Sequence, residues 1–537
     1  MRLKKSIKRG IAAVTITGIM ASSAMPAFAK DYHIDYGDIK VDQDKVSYTD
    51  KDGTKYDNEK NEDGDITITG KSDENTISVK DADVTFKDLE IDRSASSTAA
   101  DGAAVSVSGN SSIELDGKNT ISSGMGHAGI EKADDNGTMT IKDDNNVSGS
   151  LTANGGFGGA GIGGGNNADG SDITITGGTI IANGGFGGAG IGGGSSSISG
   201  GGNGSDITIS GGNVTANGGT AGAGIGGGDG DNANGLNKKS DSTGGGRGSN
   251  ITISGNAEVT ASGSHSAGAG IGGGEDGMGT DILIKDDAKV TAYAGYGSAG
   301  IGGGRYRGGS VKISGSADVT AFGAQGGAGI GSGEDVYGTS NDDVRCNTTV
   351  DISDKANVTA VGSHGAAAIG SGNGCTKGKT TVTITGGTVK AIGGEYSASA
   401  IGGYNYDGTV QDVTVTINGT TGNTTVNASC QPDQKGAISA GNGAPDIIHY
   451  DEKGTSPFGE KNSVIVRMYN NASYTKEKDL VGCNPGTLYQ TVHNRKYMEE
   501  HPEEIVDITK LKDEDLHDWQ LVKRVEPTLD ADGYADY

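Results

Sequence analysis

The residues best placed to do chemistry share one offset. Four residues beyond the alanine of a recurring Val-Thr-Ala-like triplet stand Phe157, Phe186, Thr220, His265, Tyr296, Gln325, His364 and Glu395, with Tyr293 and Phe322 close by. The chain has only 18 Tyr, 6 Phe and 1 Trp, so aromatics recurring at one position are unexpected. Outward aromatics flanked by Asn and His suit the faces and hydroxyls of sugar rings. Phe157, Phe186, His265, Tyr293, Tyr296, Phe322 and His364 are therefore the candidate carbohydrate-binding residues. The alternative is that these side chains only cover glycine corners from water.

Catalytic constellations are harder to find. The 8 His are scattered, and His265 and His364 fall three repeats apart. A carboxylate pair for glycoside hydrolysis could be assembled from any neighbouring repeats, because acids are everywhere. Arg305 and Arg307, in "GGGRYRGG", form the basic pair at a repeat corner, as a polysaccharide lyase would want beside calcium. The insert "DGDNAN" offers Asp229 and Asp231 as hard oxygen ligands, so calcium is the one cofactor left open. The four cysteines are Cys346, Cys375, Cys430 and Cys483. Cys346 and Cys375 fall in the inserts of successive repeats, where a disulfide and free thiols are both compatible with the spacing, and no CxxC suggests a metal site.

Two glycine motifs mislead. Gly159-Ala160-Gly161-Ile162-Gly163-Gly164 fits GxGxxG, but the pattern recurs in every repeat and no helical period follows, so it is no dinucleotide cradle. "GGNGSDITI" approaches the calcium nonapeptide, yet Thr208 stands where a large apolar residue is required. An ice-binding threonine lattice starting at Thr174 and Thr176 breaks at Leu283, Lys312 and Asp351.

The elements that must position these residues follow from the period. The isoleucine of "AGIG" recurs at 162, 191, 225, 271, 301, 330, 369 and 401, with a forerunner at Ile130. Between these lie an alternating segment such as "DITIT" or "DILIK" and a second one reading Val-Thr-Ala, both of strand period. Of the 100 glycines, 76 lie between residues 151 and 410, which excludes helices there. One repeat cannot bury its apolar face alone, whereas stacked copies align Ile on Ile and Val on Val. The fold class implied is all-β, a right-handed parallel β-helix with a small C-terminal α+β or irregular module. At the strand spacing of about 4.8 Å, eight clear rungs make a rod of roughly 40 Å. Insertions such as 229–249 and 334–348 follow the "GIGGG" corner, which confines them to one edge, a natural binding face.

Residues 1–29 combine a basic start, the apolar run "IAAVTITGIMA" and the exit "AFA", as a secretory signal peptide does. Its removal leaves 38 basic and 69 acidic residues, a formal charge of −31. That charge disfavours nucleic acid and anionic membranes. No later segment is long and apolar enough for a membrane span. The expected division is 1–29 signal peptide, 30–63 acidic leader, 64–445 parallel β-helix and 446–537 C-terminal module.

Two resemblances extend this. "GAGIGGG…DITITGGTIIANGG" is similar to the Gly-rich right-handed β-helices of exported surface proteins of Gram-positive anaerobes, over residues 64 to 430. "HDWQLVKRVEPTLDADGYADY" resembles the HxW…PT…GY repeat at the ends of secreted proteins of such bacteria, without its CxxC pair. Similar β-helices include carbohydrate-binding proteins and pectinases, but no pectinase catalytic constellation is present. The resemblance implies an extracellular, secreted or cell-surface protein that binds a polysaccharide or a host or cell-surface glycan, or acts as an adhesin. It is expected to work as a monomer without catalysis. The alternatives are a polysaccharide lyase or glycoside hydrolase on the same rod, and a structural surface stalk.

Overall fold

The computed structural model describes residues 30–429 except 63, 98–101, 133–135, 146, 197–199, 231–243, 336–344, 377, 395–398, 404–411 and 418–420, and beyond 429 a set of strands between Ile438 and Asp536. In the earlier coils the first two strands are one long strand such as Asp83–Asp92 or Ser111–Ser122, whereas from Met139 onward each coil contributes three strands, for example Gly170–Ile175, Thr179–Asn183 and Ile191–Gly192. The next coil repeats them as Gly204–Ile209, Asn213–Asn217 and Ile225–Gly226. All pair in parallel with the coils before and after, so the chain is a right-handed parallel β-helix.

Register is set by what points inward. Ile162, Ile191, Ile225, Ile271, Ile301, Ile330, Ile369 and Ile401 stack one on the next along the short-strand face. Ile173, Ile207, Ile251 and Ile282 stack along the first long strand. Val214, Val259, Val290, Val319, Val358 and Val389 do so along the second. These ladders are buried. A one-residue slip in any strand would turn its inward set to water, so the alternation fixes the pairing. The glycine after each ladder isoleucine lies at φ between +126° and +141° from Gly163 to Gly402, a region only glycine enters freely.

The solenoid extends beyond the expected 64–445 interval at both ends. Lys30–His33 pairs in parallel with the strand that starts at Ile66, and Ile39–Asp42 pairs in parallel with Ile77–Lys80. Residues 30–63, expected as an acidic leader, therefore hold the first coil. Lys45–Thr49 and Lys55–Lys60 fold back antiparallel over its end as a cap. The Lys30 ammonium lies over the rings of Tyr32, Tyr48 and Tyr56, 5.3, 4.2 and 5.7 Å from their centroids, and fastens strand to cap. At the other end Val464–Tyr469 still stacks in parallel on Thr424–Ser429, after which Leu488–Val492 and Leu521–Val525 pair antiparallel. The described elements of 446–537 are strands, and the rest of the expected C-terminal module lies outside the described residues.

Candidate functional site

Two turns of every coil lie side by side on one edge. The first follows the Val-Thr-Ala strand and carries Met125, Phe157, Phe186, Thr220, His265, Tyr296, Gln325 and His364 in successive coils. The second lies four residues beyond each ladder isoleucine and carries Asn166, Ser195, Asp229, Glu275, Arg305, Glu334 and Asn373. The backbone N–H groups of Asn166, Ser195, Asp229, Glu275, Glu334 and Asn373 donate to the carbonyls of Gly126, Gly158, Gly187, Ala221, Gly297 and Gly326. Six of these seven second turns are thus pinned to the first turn of the coil below, and the two rows form one composite edge.

The first row begins open and apolar. Phe157 and Phe186 stack with centroids 4.9 Å apart and planes 2° from parallel, yet are 55% and 53% exposed. Parallel rings that far apart are slid or gapped, since carbon contacts lie at about 3.5–4.0 Å, and part of each face stays open. Met125, 47% exposed, continues the row. Beside it runs an amide ladder: the Nδ2 of Asn217 donates to Oδ1 of Asn183 (2.8 Å), that of Asn183 to Oδ1 of Asn154 (2.8 Å), and that of Asn154 to Oγ of Ser122 (3.0 Å). At the lower end a pocket of about 480 Å³ is lined by Ser94, Ser122, Met125, Asn154 and Phe157 among others.

The second row ends charged and closed. Arg305 Nε is 2.8 Å from Glu334 and its Nη1 is 3.9 Å from Glu275, while the guanidinium lies 5.0 Å from the Tyr296 ring centroid and 4.8 Å from that of Tyr306. Arg307 Nε donates at 2.8 Å to Asp276, both side chains buried. Burial lowers the Arg305 pKa, but Tyr306, Glu334 and Glu275 outweigh it and hold the value above normal. Burial pushes the Glu334 carboxyl above its ordinary value, against the pull of Arg305. A lyase base at Arg305 or Arg307 is not what this geometry offers: both guanidinium groups are held by carboxylates, and Arg stays protonated in proteins.

The structure sorts the other sequence candidates. Tyr293 and Phe322 do not join the outward row. They stack on each other (5.0 Å, 4°) at the strand end, in register with Ser262 and Val361, and Phe322 is only 7% exposed. Their register lies three residues before the turn position, which makes them strand residues covering the coil. His265 and His364 are exposed on the first row with two coils between them and are not brought together. Cys346 and Cys375 form a disulfide that joins the inserts of successive coils. Cys430, Cys483, Glu395 and Asp231 lie outside the described residues. Asp229 belongs to the second row, and among the described residues no group of three or more His, Cys, Asp or Glu could hold a metal ion. The threonine column breaks at Leu283, Lys312 and Asp351 as expected. A second column, Thr215, Thr260, Thr291, Thr320 and Thr359, is unbroken but flanked by exposed Glu258, Lys289 and Asp318. Among the described residues no helix is long and apolar enough to cross a membrane.

Comparison with known families matches this geometry. Residues 173–195, 207–229, 251–275, 282–305, 311–334, 350–373 and 382–406 each match the family model described as "Beta helix repeat". The chain carries seven beta helix repeats. Each match starts in the first long strand and ends on or just after the second-turn row, so the repeat unit includes both turns of the edge. No curated protein and no solved structure matches the chain.

Proposed function

We propose that this protein is a secreted or cell-surface glycan-binding solenoid, an adhesin-like binder of polysaccharide that needs no cofactor. The observation that carries the reading is the exposed Phe157–Phe186 stack beside the Asn154–Asn183–Asn217 ladder. Large apolar faces left in water next to a row of amides supply what a sugar demands, a flat surface for its C–H face and directional partners for its hydroxyls. The signal-like N-terminal segment and the Cys346–Cys375 disulfide support an extracellular setting, where disulfides persist. The acidic composition argues against nucleic acid as the partner.

The test incubates the purified chain from Lys30 onward with a panel of soluble and insoluble glycans, measuring depletion of protein and release of reducing or unsaturated ends. Retention without product release is expected, and Phe157→Ala with Phe186→Ala should abolish it while the thermal transition stays in place. Product release would instead make the rod a hydrolase or lyase scaffold. No retention on any glycan would leave a stalk.

A further inference from the structure

The amide ladder narrows the class of ligand, given the glycan-binding reading above. A primary amide has two N–H donors. In the ladder Asn217, Asn183 and Asn154 each spend one, on Asn183, Asn154 and Ser122 respectively. One N–H per coil is left over, at half-buried positions, repeated at the strand spacing of about 4.8 Å. That interval is comparable with the length of one pyranose unit in an extended chain. The exposed rings of Phe157 and Phe186 repeat at the same interval, 4.9 Å.

Among the described residues the charges around this stretch oppose an anionic ligand. The ladder and the pocket at its lower end present Ser, Asn, Met and Phe. Asp229 stands on the neighbouring row against the turn of Phe186, where its Cβ would be 3.4 Å from a side chain grown at Gly187. The nearest row arginine, Arg305, is already held by Glu334 and Glu275. A uronate or sulfated sugar would meet a carboxylate and, among the described residues of this row, find no cation without a carboxylate partner, in a chain of net charge −26. The ladder also has ends: Ser122 begins it, and after Asn217 the register passes to Ser262 and Tyr293.

We infer that the edge binds an uncharged polysaccharide chain laid along the solenoid axis, one sugar per coil from Ser122 to Asn217, with the spare amide N–H of Asn154, Asn183 and Asn217 donating to sugar hydroxyls. The site is a run of equal subsites, and the pocket beside Met125 takes the sugar at its lower end.

Titration calorimetry on the whole chain tests this with cello-, manno- and xylo-oligosaccharides of two to six units, set against oligogalacturonates of the same lengths. Affinity for one neutral series should climb with each added sugar and level off near four units, and oligogalacturonates should not bind. Asn217→Ala removes a donor on which no other ladder amide depends and should weaken binding about fivefold, the worth of one hydrogen bond. Asn183→Asp, which replaces a donor by a charge, should weaken it more. Equal binding of oligogalacturonates, an affinity flat in chain length, or unchanged affinity in both Asn variants would each overturn the inference. If Phe186→Ala abolishes binding in those cases, glycan binding itself still stands. If no oligosaccharide binds and Phe186→Ala changes nothing on insoluble glycans either, the broader reading falls with it.

Discussion

Replacing Gly272 by alanine tests the claim that the "GIGGG" corners are dictated by stacking. Gly272 lies at φ +137°, and a Cβ there would sit 1.9 Å from the carbonyl oxygen of Gly302 in the next coil, where real Cβ contacts stay beyond 3.0 Å. The two coils would have to part by more than an ångström. That movement breaks the bonds that Ile271 N–H and Gly273 N–H donate to the carbonyls of Gly300 and Gly302, at 3.0 and 3.2 Å. Backbone strain of about 1–3 kcal/mol plus two hydrogen bonds at about 1 kcal/mol each gives a loss of roughly 3–5 kcal/mol. In a solenoid each coil touches only its neighbours, so the damage should stay local. Urea denaturation gives the size, and amide exchange should quicken around Ile271 and Ile301 while the coils near Phe86 keep their protection. Gly53→Ala is the control, since Gly53 has φ +81° and nothing within 4 Å of its would-be Cβ. It should lose only the conformational part, about 1 kcal/mol. A Gly272→Ala protein within 1 kcal/mol of Gly53→Ala, or one whose exchange quickens evenly along the rod, would refute the stacking argument.

Two further predictions concern the covalent and charged ties along the edge. Reduction of Cys346–Cys375, separated by 29 residues, should lower stability by roughly 3–4 kcal/mol on the loop-entropy account, read as a urea midpoint shift between oxidised and reduced protein; a shift under 1 kcal/mol would show that the inserts are tied without it. Burial raises the Glu334 pKa above 4.5, so the folded state favours the protonated form, and its stabilising contribution is present below 4.5 and lost as pH rises through the raised value. Glu334→Gln cannot titrate, and the stability of the native chain relative to this variant should fall as pH rises from 4 to 8; a relative stability that rises instead would show that the pairing with Arg305 outweighs burial.

The inward half of this fold was legible and much of the outward half was not, for a physical reason. Ile162 to Ile401 recur because each must fill the same buried slot, so an alignment on residue type finds them. The second-turn row shares no residue type: Asn166, Ser195, Asp229, Glu275, Arg305, Glu334 and Asn373 have only a common offset of four from that isoleucine. Counting from the ladder reveals it, whereas motifs single out only Asp229 and Arg305 from the row, each for a separate reason. Nearness in sequence groups Tyr293 and Phe322 with the turn aromatics, yet period-two geometry separates a strand end from a turn three residues later. In the first coil the alternation of Ile39, Val41, Val46 and Tyr48 is present but lies among charged residues, and its antiparallel partner Lys55–Lys60 is almost wholly polar.

The same freedom that hides the edge from motif searches lets one backbone carry two kinds of surface. Interior positions must repeat or the coils cannot stack, while turn positions need only a backbone that closes, so side chains there can differ from coil to coil. In the later coils Glu275, Arg305, Glu334, Tyr296 and Tyr306 satisfy one another. A buried ion pair is tolerable only when fully partnered, so a ligand could enter there only by taking a partner away. In the earlier coils Phe157 and Phe186 keep more than half of their surface in water, and about 25 cal/mol per Å² is recovered when such area is covered. On the proposed glycan-binding reading, a ligand is therefore favoured at the coils of Met125 to Asn217 and opposed at those of Glu275 to Glu334, although both lie on one edge in one register.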